Sequence, residues 1–529
     1  MSFHGRDNPY NFDTFLQCRD QFDYYRDDAF LQRTIRHYCK NQFSEVEAAA
    51  VEVSALASFR WKSLSDAVAL PEKRLFLVNY DAHNRRIDRI VRPTEAQTLE
   101  SEVYAQALFS RATPTWVRFI KLFLIYQNGE ASTFCPLACT TGLAELLDRF
   151  ADSPELEAMR DHVQEGIDGN FAVGAQFISE VQGGSDVAAN CVEAIQIDGQ
   201  WRLYGRKYFC SATQADYAVV TAKPKGSDTI AIFAVPAWLP GDKEKEIRNG
   251  CTIDRLKRKM GTRELPTAEI TYNGALAYPI GPLESGLANL VKTVLTQSRL
   301  AVGMMNAATM TRAVREATQY AEFREAFGRP IARFPMLQNQ LDAMQHDAQR
   351  TTAGTFELHA LFIAAQVDEK QTDAESRKRR LNVRELVMLQ KITSAWDAVD
   401  TIRCAMSVFG GHGIMEDFSS LPRLFRDATV NELWEGPRNV LLWQIHRDLQ
   451  KSTSWYPPEE FVSNILNGAD SGIVTALCKE IKLLVAHPDL TTPNDETRSI
   501  CKQWDSFCHR LFHSWQDHAL NQVQFSKRN

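Results

Sequence analysis

The sequence predicts a mainly α-helical fold with an inserted antiparallel β-domain, followed by an α-helical bundle and a helical C-terminal extension. Two changes in the spacing of apolar residues carry this prediction. Apolar residues recur every three or four positions up to about residue 171, short apolar runs separated by turns follow, and helical spacing returns after residue 286. The domains are accordingly expected at residues 1–172, 173–285, 286–450 and 451–529.

In the first region, helical spacing is clearest at residues 116–126, and loops are expected at Pro71 and Pro93. No stretch reaches the ~18 uninterrupted apolar residues that cross a bilayer, because even residues 116–126 contain Arg118 and Lys121. The N-terminus lacks an apolar signal core and carries early acidic residues. A cytoplasmic protein without membrane insertion is therefore expected.

Short apolar runs predict the strands of the β-domain. Between the first two runs, Asp198 and Gly199 predict a hairpin turn, because both residue types tolerate positive φ angles. The runs lie at residues 194–197, 201–204, 217–222, 230–235 and 268–272.

The third and fourth regions predict helices. Residues 287–305 can place their apolar side chains on one helix face, and another helix is expected to begin at Pro335, because proline suits a first helical turn. Gly410-Gly411 is expected to end a further helix, and residues 368–380 to form a charged loop. After Pro457-Pro458, helices of the extension are expected at residues 473–485 and 500–523.

Composition excludes several classes of protein. The 529 residues are 44% hydrophobic and 24% charged, which is typical of a globular chain. A formal net charge of −6 and a pI near 6.1 give no overall attraction to polyanions such as nucleic acids. The eleven cysteines are scattered and form no CxxC pair, so reduced thiols and no metal site are expected.

Several motifs in the β-domain could carry chemistry. The loop QGGSD at residues 182–186 exposes backbone amides and hydroxyls, which can hold a phosphate or the edge of a flat cofactor. The run GRKYFCS at residues 205–211 is typical of a strand with alternating side chains. The run KMGTR at residues 259–263 is typical of a polar hairpin with an architectural role.

Three further motifs lie in the helical bundle. REAFGRPI at residues 324–331 is followed by Gln338, and FGGHG at residues 409–413 permits close approach of a ligand to the backbone. The heptad LWEGPRN at residues 433–439 places Glu435 between a tryptophan and a glycine. Taken singly, these motifs also fit a surface cation, a helix C-cap and a solvent-facing carboxylate.

Together and in this order, the motifs resemble the signatures of the acyl-CoA dehydrogenase family over about residues 100 to 447. The forms of the loop at 182–186 and of the heptad at 433–439 are most similar to the AidB branch, the alkylation-response flavoproteins. The resemblance implies an acyl-CoA dehydrogenase-like fold, FAD as cofactor, and a role in fatty acid metabolism. It further implies an acyl-CoA substrate and a homo-oligomer, which is a tetramer by family resemblance. An electron acceptor is also implied, and the sequence does not identify it.

The resemblance also assigns residues to roles. Glu435 is expected to remove the α-proton of an acyl-CoA, with hydride passing to flavin N5 and a trans-2-enoyl-CoA as product. Ser185, Arg299 and Gly436 are expected to bind the substrate. In the family, the segment around Arg324 reaches the FAD of a neighbouring subunit, and Arg324 would pair with the pyrophosphate. The residues expected to bind FAD are Ile178, Ser179, Gly184, Ser185, Phe209, Ser211, Arg324, Phe327, Gln338, Gly410, Gly411 and Asn439.

The assignment of the base rests on one comparison of positions. A carboxylate with a pKa near ~4.3 is a weak base, and burial beside Trp434 is expected to raise the pKa of Glu435 toward neutral pH. Some members of the family place the base on an earlier helix, directly before an arginine. Here Ser298 precedes Arg299, and a serine cannot act as a carboxylate base.

Three residues depart from the family pattern: Val181, Pro437 and Arg438. Val181 replaces a proline, and Pro437 replaces a threonine that contacts FAD in the family. Because Pro437 has neither an N–H group nor a hydroxyl, part of the polar contact with FAD is expected to come from elsewhere.

Two alternatives stay open. An acyl-CoA oxidase would use the same residues with oxygen as acceptor, and an AidB-like DNA-associated flavoprotein in the alkylation response would have little dehydrogenase activity. The second alternative needs clustered positive charge to neutralise phosphates. Residues 451–529 contain eight Lys or Arg and nine Asp or Glu, so the extension is not basic and nucleic acid is not an expected partner.

Overall fold

The computed structural model describes residues 10–367 and 371–525. The N-terminal region is helical as far as residue 164, apart from one hairpin. A π-helical segment, Leu56–Trp61, joins its third and fourth helices. The helices are α1 (Asp13–Asp20), α2 (Ala29–Cys39), α3 (Phe43–Ala55), α4 (Lys62–Val68), α5 (Thr94–Tyr104), α6 (Thr115–Tyr126), α7 (Ala131–Phe150) and α8 (Pro154–Gln164).

The hairpin occupies the segment between Pro71 and Pro93, which the sequence predicts as part of a helical region with a loop at each proline. Strand β1 (Phe76–Tyr80) pairs antiparallel with β2 (Arg86–Val91). The carboxylate of Asp81 accepts hydrogen bonds from the backbone N–H groups of His83 and Arg85, and these bonds close the turn. Asx-type bonding of this kind favours a turn over a helix, so the helical expectation is wrong for the segment between the two prolines.

The predicted β-domain is confirmed as a seven-stranded sheet. Asp198 and Gly199, with φ +50° and +79°, form the predicted turn between β4 and β5. The sheet is mixed, because β6 runs parallel to β3 and β4 while the other pairs are antiparallel. The strands are β3 (Gly174–Phe177), β4 (Glu193–Ile197), β5 (Gln200–Ser211), β6 (Tyr217–Pro224), β7 (Ala231–Pro236), β8 (Cys251–Leu256) and β9 (Thr267–Pro279).

The helical bundle follows the β-domain. A π-helical segment, Leu290–Leu295, makes the first two of its helices continuous. Between the second and third helices, a tight hairpin pairs β10 (Glu325–Ala326) with β11 (Arg329–Pro330). The helices are α9 (Gly286–Asn289), α10 (Thr296–Phe323), α11 (Pro335–Val367), α12 (Ala374–Val408), α13 (Leu421–Asn431) and α14 (Arg438–Ser452).

Helix α12 begins inside the segment that the sequence predicts as a charged loop. The side chain of Asp373 accepts a hydrogen bond from the backbone N–H of Ser376 at 2.9 Å and caps the helix. The lysine and arginines that follow are good helix formers, so residues 374–380 are helical and the loop prediction is wrong for them. Residues 368–370 of that prediction lie outside the described residues.

The C-terminal extension consists of α15 (Pro458–Ile465), α16 (Ser471–Val485) and α17 (Asp495–Phe525). Helix α17 packs against the bundle through Trp504, Phe507 and Leu511, which share an apolar cluster with side chains of α12 and α14. The indole Nε1 of Trp504 donates to the carbonyl oxygen of Leu442 at 2.9 Å. Of the helices in the described part of the chain, none is both long and apolar enough for a bilayer crossing.

Candidate active site

Glu435 lies in the turn at residues 432–437, which joins α13 to α14. Its backbone has φ +59°, and this left-handed conformation costs a non-glycine residue about 1–3 kcal/mol. Gly436 follows with φ +100°, and a Cβ there would lie 2.9 Å from Leu441 Cδ2, so the position requires glycine. Backbone strain of this kind persists only where the surroundings hold the chain, and it is concentrated at functional sites.

Two buried cations hold this turn from neighbouring helices. On α12, Lys391 Nζ donates to the carbonyl oxygens of Glu432 at 3.0 Å and Gly436 at 2.6 Å. On α10, Arg299 Nε donates to the carbonyl oxygen of Glu435 at 3.1 Å. Because hydrogen bonds from charged donors are the stronger class, the backbone around Glu435 is firmly positioned.

The side chain of Gln176 joins Glu435 to the alternative base position. Its Nε2 donates to Glu435 Oε1 at 2.9 Å and lies 3.1 Å from Ser298 Oγ. Gln176 is on β3, Ser298 is on α10, and Glu435 follows α13, so three separate elements meet at this amide. The two positions at which relatives are expected to carry the base therefore converge on one point, and only Glu435 supplies a carboxylate there.

The electrostatics of the site favour an ionised but basic Glu435. Burial raises the pKa of Glu435 to about 6, and the charges of Arg299 and Lys391 and the Gln176 hydrogen bond limit this rise. Burial lowers the pKa of Lys391 to about 7 and that of Arg299 to about 10, with the charge of Glu435 opposing both changes. A carboxylate with a pKa just below neutral pH is suited to general base catalysis.

The loop at residues 179–186 lies beside this site because it follows β3. Ile178 and Ser179 are half-buried, whereas Gly184 and Ser185 are exposed. A Cβ at Gly184 would collide with Ser179 Oγ, so a larger residue there would force the Ser179 hydroxyl into another rotamer. The glycine and the two serines leave backbone amides and hydroxyls available at the surface of the loop.

Glu180 and Lys207 hold this loop, and sequence reasoning did not select either residue. Lys207 Nζ donates to Glu180 Oε1 at 2.7 Å, and both side chains are nearly inaccessible to solvent. The carboxylate of Glu180 also accepts from the backbone N–H groups of Cys191 and Val192, at 2.6 and 3.2 Å. The sequence contained one signal for each residue: Glu180 directly follows Ser179, and Lys207 lies within the motif at 205–211.

Strand β5 brings Phe209 and Ser211 to the same region. Its pairing with β9 is irregular between Lys207 and Cys210, and the backbone N–H of Tyr208 donates to the carbonyl oxygen of Ser179 at 2.9 Å. Phe209 is 52% exposed, and Ser211 Oγ lies 3.1 Å from Thr267 Oγ1. Bulges of this kind often re-aim side chains next to active sites.

Five of the residues expected to bind FAD lie at the opposite end of α10. Arg324 follows the last residue of α10, whereas Arg299 is in its first turn, so they are separated by about 37 Å along the helix. Tyr320, one turn before Arg324, stacks on Phe409 at 4.2 Å between ring centroids and thereby places Gly410 and Gly411 at that end. Gln338, in the first turn of α11, lines a groove of about 700 Å³ there.

The tip of the β10–β11 hairpin also lies at this distant end. Phe327 and Gly328 form its turn with φ +52° and +79°, and the Phe327 side chain is 94% exposed. Arg324 lies under this hairpin with its guanidinium carbon 5.0 Å from the Tyr10 ring centroid. The exposed Phe327 ring is available for contact with another molecule.

The residues that flank Glu435 explain one departure from the family pattern. Arg438 Nε donates to Asp505 Oδ1 at 2.7 Å, so this unusual arginine ties the turn to α17 of the extension. Asn439 is exposed in the first turn of α14. Trp434 Nε1 is a buried donor for which the described residues provide no hydrogen-bond partner, and a bound ligand could satisfy it.

A cavity of about 430 Å³ lies beside Arg299, between α7, α10, α11 and α12. Its walls are apolar at several positions and cationic at others. The apolar wall residues include Val291, Phe362, Val383 and Val387, and the cationic ones include Lys292, Arg299, Arg380 and Arg384. This composition suits a ligand that carries both an apolar chain and negative charge.

The sequence predicts no metal site. Within the described ranges, Asp397, His509 and His513 place possible ligand atoms within 4.8 Å of one another. The guanidinium of Arg350 lies against this group, with Nη2 3.1 Å from His513 Nε2, and Asp397 pairs with His513 at 2.8 Å. A cation already occupies the acidic environment, so we interpret the group as an ion-pair network between α12 and α17.

Comparison with known proteins identifies similar chains. Two family models match, one described as "Acyl-CoA dehydrogenase, middle domain" at residues 175–275 and one as "Acyl-CoA dehydrogenase, C-terminal domain" at residues 284–450, together just over half of the chain. Acyl-CoA dehydrogenase family member 11 of Caenorhabditis elegans is 29% identical over 80% of this chain and 70% of its own length. The putative acyl-CoA dehydrogenase AidB of Escherichia coli K12 is 28% identical over 72% of this chain and 70% of its own length.

Solved structures show the same fold. Bd2924 in its apo form superposes with a TM-score of 0.83 at 25% identity, covering 95% of this chain and 98% of its own. ACDH-11 of Caenorhabditis elegans, solved in complex with C11-CoA, superposes with a TM-score of 0.77 at 23% identity, covering 95% of this chain and 91% of its own. Both likenesses extend beyond the bundle, since they cover nearly the whole chain.

Proposed function

Because the chain belongs to the acyl-CoA dehydrogenase family, we propose that it is an FAD-dependent enzyme that dehydrogenates an acyl-CoA thioester between Cα and Cβ. The product would be a trans-2-enoyl-CoA, and Glu435 would be the base. The single observation that carries this proposal is the Glu435 carboxyl itself, held in a strained turn with its pKa raised to about 6. With a pKa of about 6, the Glu435 carboxyl is ionised at neutral pH and is still basic enough to remove a proton from a weakly acidic carbon.

In this proposal, the residues of the chain position and move one proton. The Glu435 carboxylate accepts the α-proton of the thioester, and Gln176 orients the carboxylate through Oε1. The developing negative charge on the thioester oxygen needs preorganised donors. The backbone N–H of Glu435 is the expected donor. Arg299 and Lys391 fix the turn through its carbonyl oxygens, so the N–H of Glu435 is held in place without being engaged by either cation.

FAD, when bound, supplies the acceptor for the hydride that leaves Cβ. The residues around Glu435 fit such a cofactor: Phe209 offers a half-exposed aromatic ring, the loop at 179–186 offers amides and hydroxyls, and Trp434 Nε1 is a buried donor without a partner in the described chain. These groups are of the kind that hold a flat ring system with a polar edge. Ile178, Ser179, Gly184, Ser185, Phe209, Ser211 and Asn439 would belong to this half of the site.

The other half of the proposed FAD site would come from a second subunit. Arg324, Phe327, Gln338, Gly410 and Gly411 lie at the far end of α10, about 37 Å away from Arg299. One chain therefore does not bring the two groups of residues to one cofactor, and a homo-oligomer would. The exposed Phe327 at the hairpin tip is available for a contact in such an oligomer, and a tetramer is the form that the family resemblance implies.

The acyl-CoA would bind near Arg299, Ser185 and Gly436. The cavity beside Arg299 has apolar walls for an acyl chain and cationic side chains for the phosphates of coenzyme A. The similarity to the C. elegans relative supports this substrate class, because that relative is named an acyl-CoA dehydrogenase family member and C. elegans ACDH-11 was solved with C11-CoA.

The test is anaerobic titration of the purified protein with a panel of acyl-CoAs while flavin absorbance is recorded. We expect bleaching by at least one acyl-CoA, and Glu435→Gln should slow bleaching by about 100-fold to 10,000-fold while FAD and acyl-CoA still bind. Ser298→Glu combined with Glu435→Gln should restore part of the rate, because both positions face Gln176. Glu496→Gln, an exposed change on α17, is the matched control.

Two results would contradict this proposal. Bleaching of Glu435→Gln at the wild-type rate would remove Glu435 from the reaction. A wild-type protein that binds FAD but is bleached by no acyl-CoA would favour the alternative with little dehydrogenase activity. Repeating the titration in air separates a dehydrogenase from an oxidase, since only the oxidase would return rapidly to the oxidised spectrum.

A further inference from the structure

Lys391 is a buried cation in direct contact with the turn that carries Glu435, and the function proposed above uses it only to fix the backbone of that turn. Its side chain is inaccessible to solvent, although lysine is rarely buried without a partner. Its Nζ donates to the carbonyl oxygen three residues before Glu435 and to the one directly after it, at 3.0 and 2.6 Å. The ammonium thus connects the two ends of the turn through hydrogen bonds to their carbonyl oxygens.

We infer that Lys391 is a positioning residue for the base, which keeps Glu435 in its left-handed conformation and supplies the charge that stabilises the Glu435 carboxylate. This inference rests on the proposed function. An ammonium suits the task because it has three donors and no acceptor, so it can hold two carbonyl groups and still interact with a negative charge. A neutral apolar side chain of similar length could do neither.

The charges around the two groups support this role. Lys391 faces Glu435, Arg299 and Glu432, and Glu435 faces Lys391, Arg299, Gln176 and Cys139. Burial lowers the pKa of Lys391 to about 7 and raises that of Glu435 to about 6, while the charge of each group stabilises the charged form of the other. The two groups are therefore coupled, and removal of the lysine charge should raise the pKa of Glu435 further.

The experiment compares Lys391→Met, which removes donors and charge, with Lys391→Arg, which keeps a positive charge. Lys378→Met is the matched control, because Lys378 lies on the same helix but pairs with the surface carboxylate of Glu460. The rate of anaerobic flavin bleaching at saturating acyl-CoA is measured across pH, together with the affinity for the acyl-CoA. Unfolding midpoints of all variants are recorded in parallel.

We expect Lys391→Met to lose about 10-fold to 100-fold in the bleaching rate at neutral pH, because a displaced and less ionised base reacts slowly. Its acyl-CoA affinity should stay close to the wild-type value, and the acid limb of its pH profile should move to higher pH. Lys391→Arg should keep the acid limb near its wild-type position. Lys378→Met should match the wild type in rate and profile.

The outcomes separate this inference from the proposed function. If the wild type bleaches and Lys391→Met keeps both rate and acid limb, the inference fails while the function stands. If no acyl-CoA bleaches the wild type, the function fails, and unfolding still reports on the pair. Lys391→Met should then gain stability when Glu435→Gln is added, because the buried carboxylate has lost its compensating charge. If the added change brings no gain, or if neither variant folds, the residue is only structural and the inference is overturned.

Discussion

Replacement of Glu180 by glutamine should destabilise the β-domain, because it breaks a buried ion pair. Glu180 and Lys207 are 4% and 1% exposed, and their carboxylate and ammonium are 2.7 Å apart. Burial alone would raise the pKa of Glu180, but the charge and hydrogen bond of Lys207 lower it below its ordinary value. The carboxylate is therefore ionised at neutral pH, and Glu180→Gln leaves the Lys207 ammonium buried without a counter-charge.

The size of the effect follows from similar buried pairs. Removal of one partner costs about 3–5 kcal/mol, whereas neutral replacement of both partners costs much less. Each kcal/mol shifts the unfolding midpoint by roughly 2–4 °C in a domain of 150–250 residues and by more in a smaller one, so a loss of at least about 6 °C is expected if the β-domain unfolds as a unit. The loop at 179–186 should loosen as well, since Glu180 accepts the backbone N–H groups of Cys191 and Val192.

Scanning calorimetry of four proteins tests this reasoning. The set comprises the wild type, Glu180→Gln, Lys207→Met and the double variant. Both single variants should unfold at lower temperature than the double variant, because only the single variants contain an uncompensated buried group. Both single variants should also retain less FAD after desalting than the double variant. If the losses of the two single variants simply add in the double variant, the pair is not coupled and the argument from the buried ion pair is refuted.

Two further predictions concern groups away from Glu435. Burial raises the pKa of Glu385 well above its ordinary value, and neither of its carboxylate oxygens has a hydrogen-bond partner in the described chain. The protonated form of Glu385 is favoured in the folded state, so the stability of the wild type falls as pH rises from the ordinary pKa of a glutamate toward the raised pKa of the folded state. In that pH range, the stability of Glu385→Gln relative to the wild type should increase by about 1.4 kcal/mol per pH unit. If the unfolding midpoint of the variant differed from that of the wild type by the same amount at pH 5 and at pH 8, this prediction would be contradicted. Arg324→Ala should reduce both FAD retention and oligomer size in gel filtration, and Phe327→Ser should reduce oligomer size without lowering the unfolding midpoint of the subunit; wild-type values for both would exclude the contact between subunits.

The periodicity of the sequence was sufficient to predict the order of the architecture. The long apolar faces of the bundle and the turn at Asp198-Gly199 appear as predicted, because helical spacing and positive-φ residues are local signals. The hairpin β1–β2 was missed because its strands are only five and six residues long, and the helical spacing of the surrounding region was extended across them. The start of α12 was missed because a run of charges suggests a loop, although arginine, lysine and glutamate are good helix formers.

For the candidate site, the resemblance selected Arg299 and Gly436, which lie at the turn of Glu435, but it could not identify the residues that support this turn and the neighbouring loop. Gln176, Lys207 and Lys391 act through contacts between elements that are distant in sequence, such as the pairing of Gln176 with Glu435 across 259 positions. No local pattern distinguishes a buried lysine that holds a turn from a lysine in solvent. The separation of Arg324 from Arg299 along α10 likewise became apparent only from the length of that helix.

The two buried cations explain how one carboxyl can be both enclosed and ionised. Burial raises the pKa of Glu435 and so favours the protonated carboxyl, which cannot accept a proton. Two cations in direct contact with its oxygens would have the opposite effect and make it too weak a base. Arg299 and Lys391 instead bond to backbone carbonyl groups of the turn, so their charges act on the carboxylate without occupying its oxygens. The Glu435 pKa of about 6 is the result of this balance, and it leaves one carboxylate oxygen, Oε2, without a hydrogen bond from Gln176 for the incoming proton.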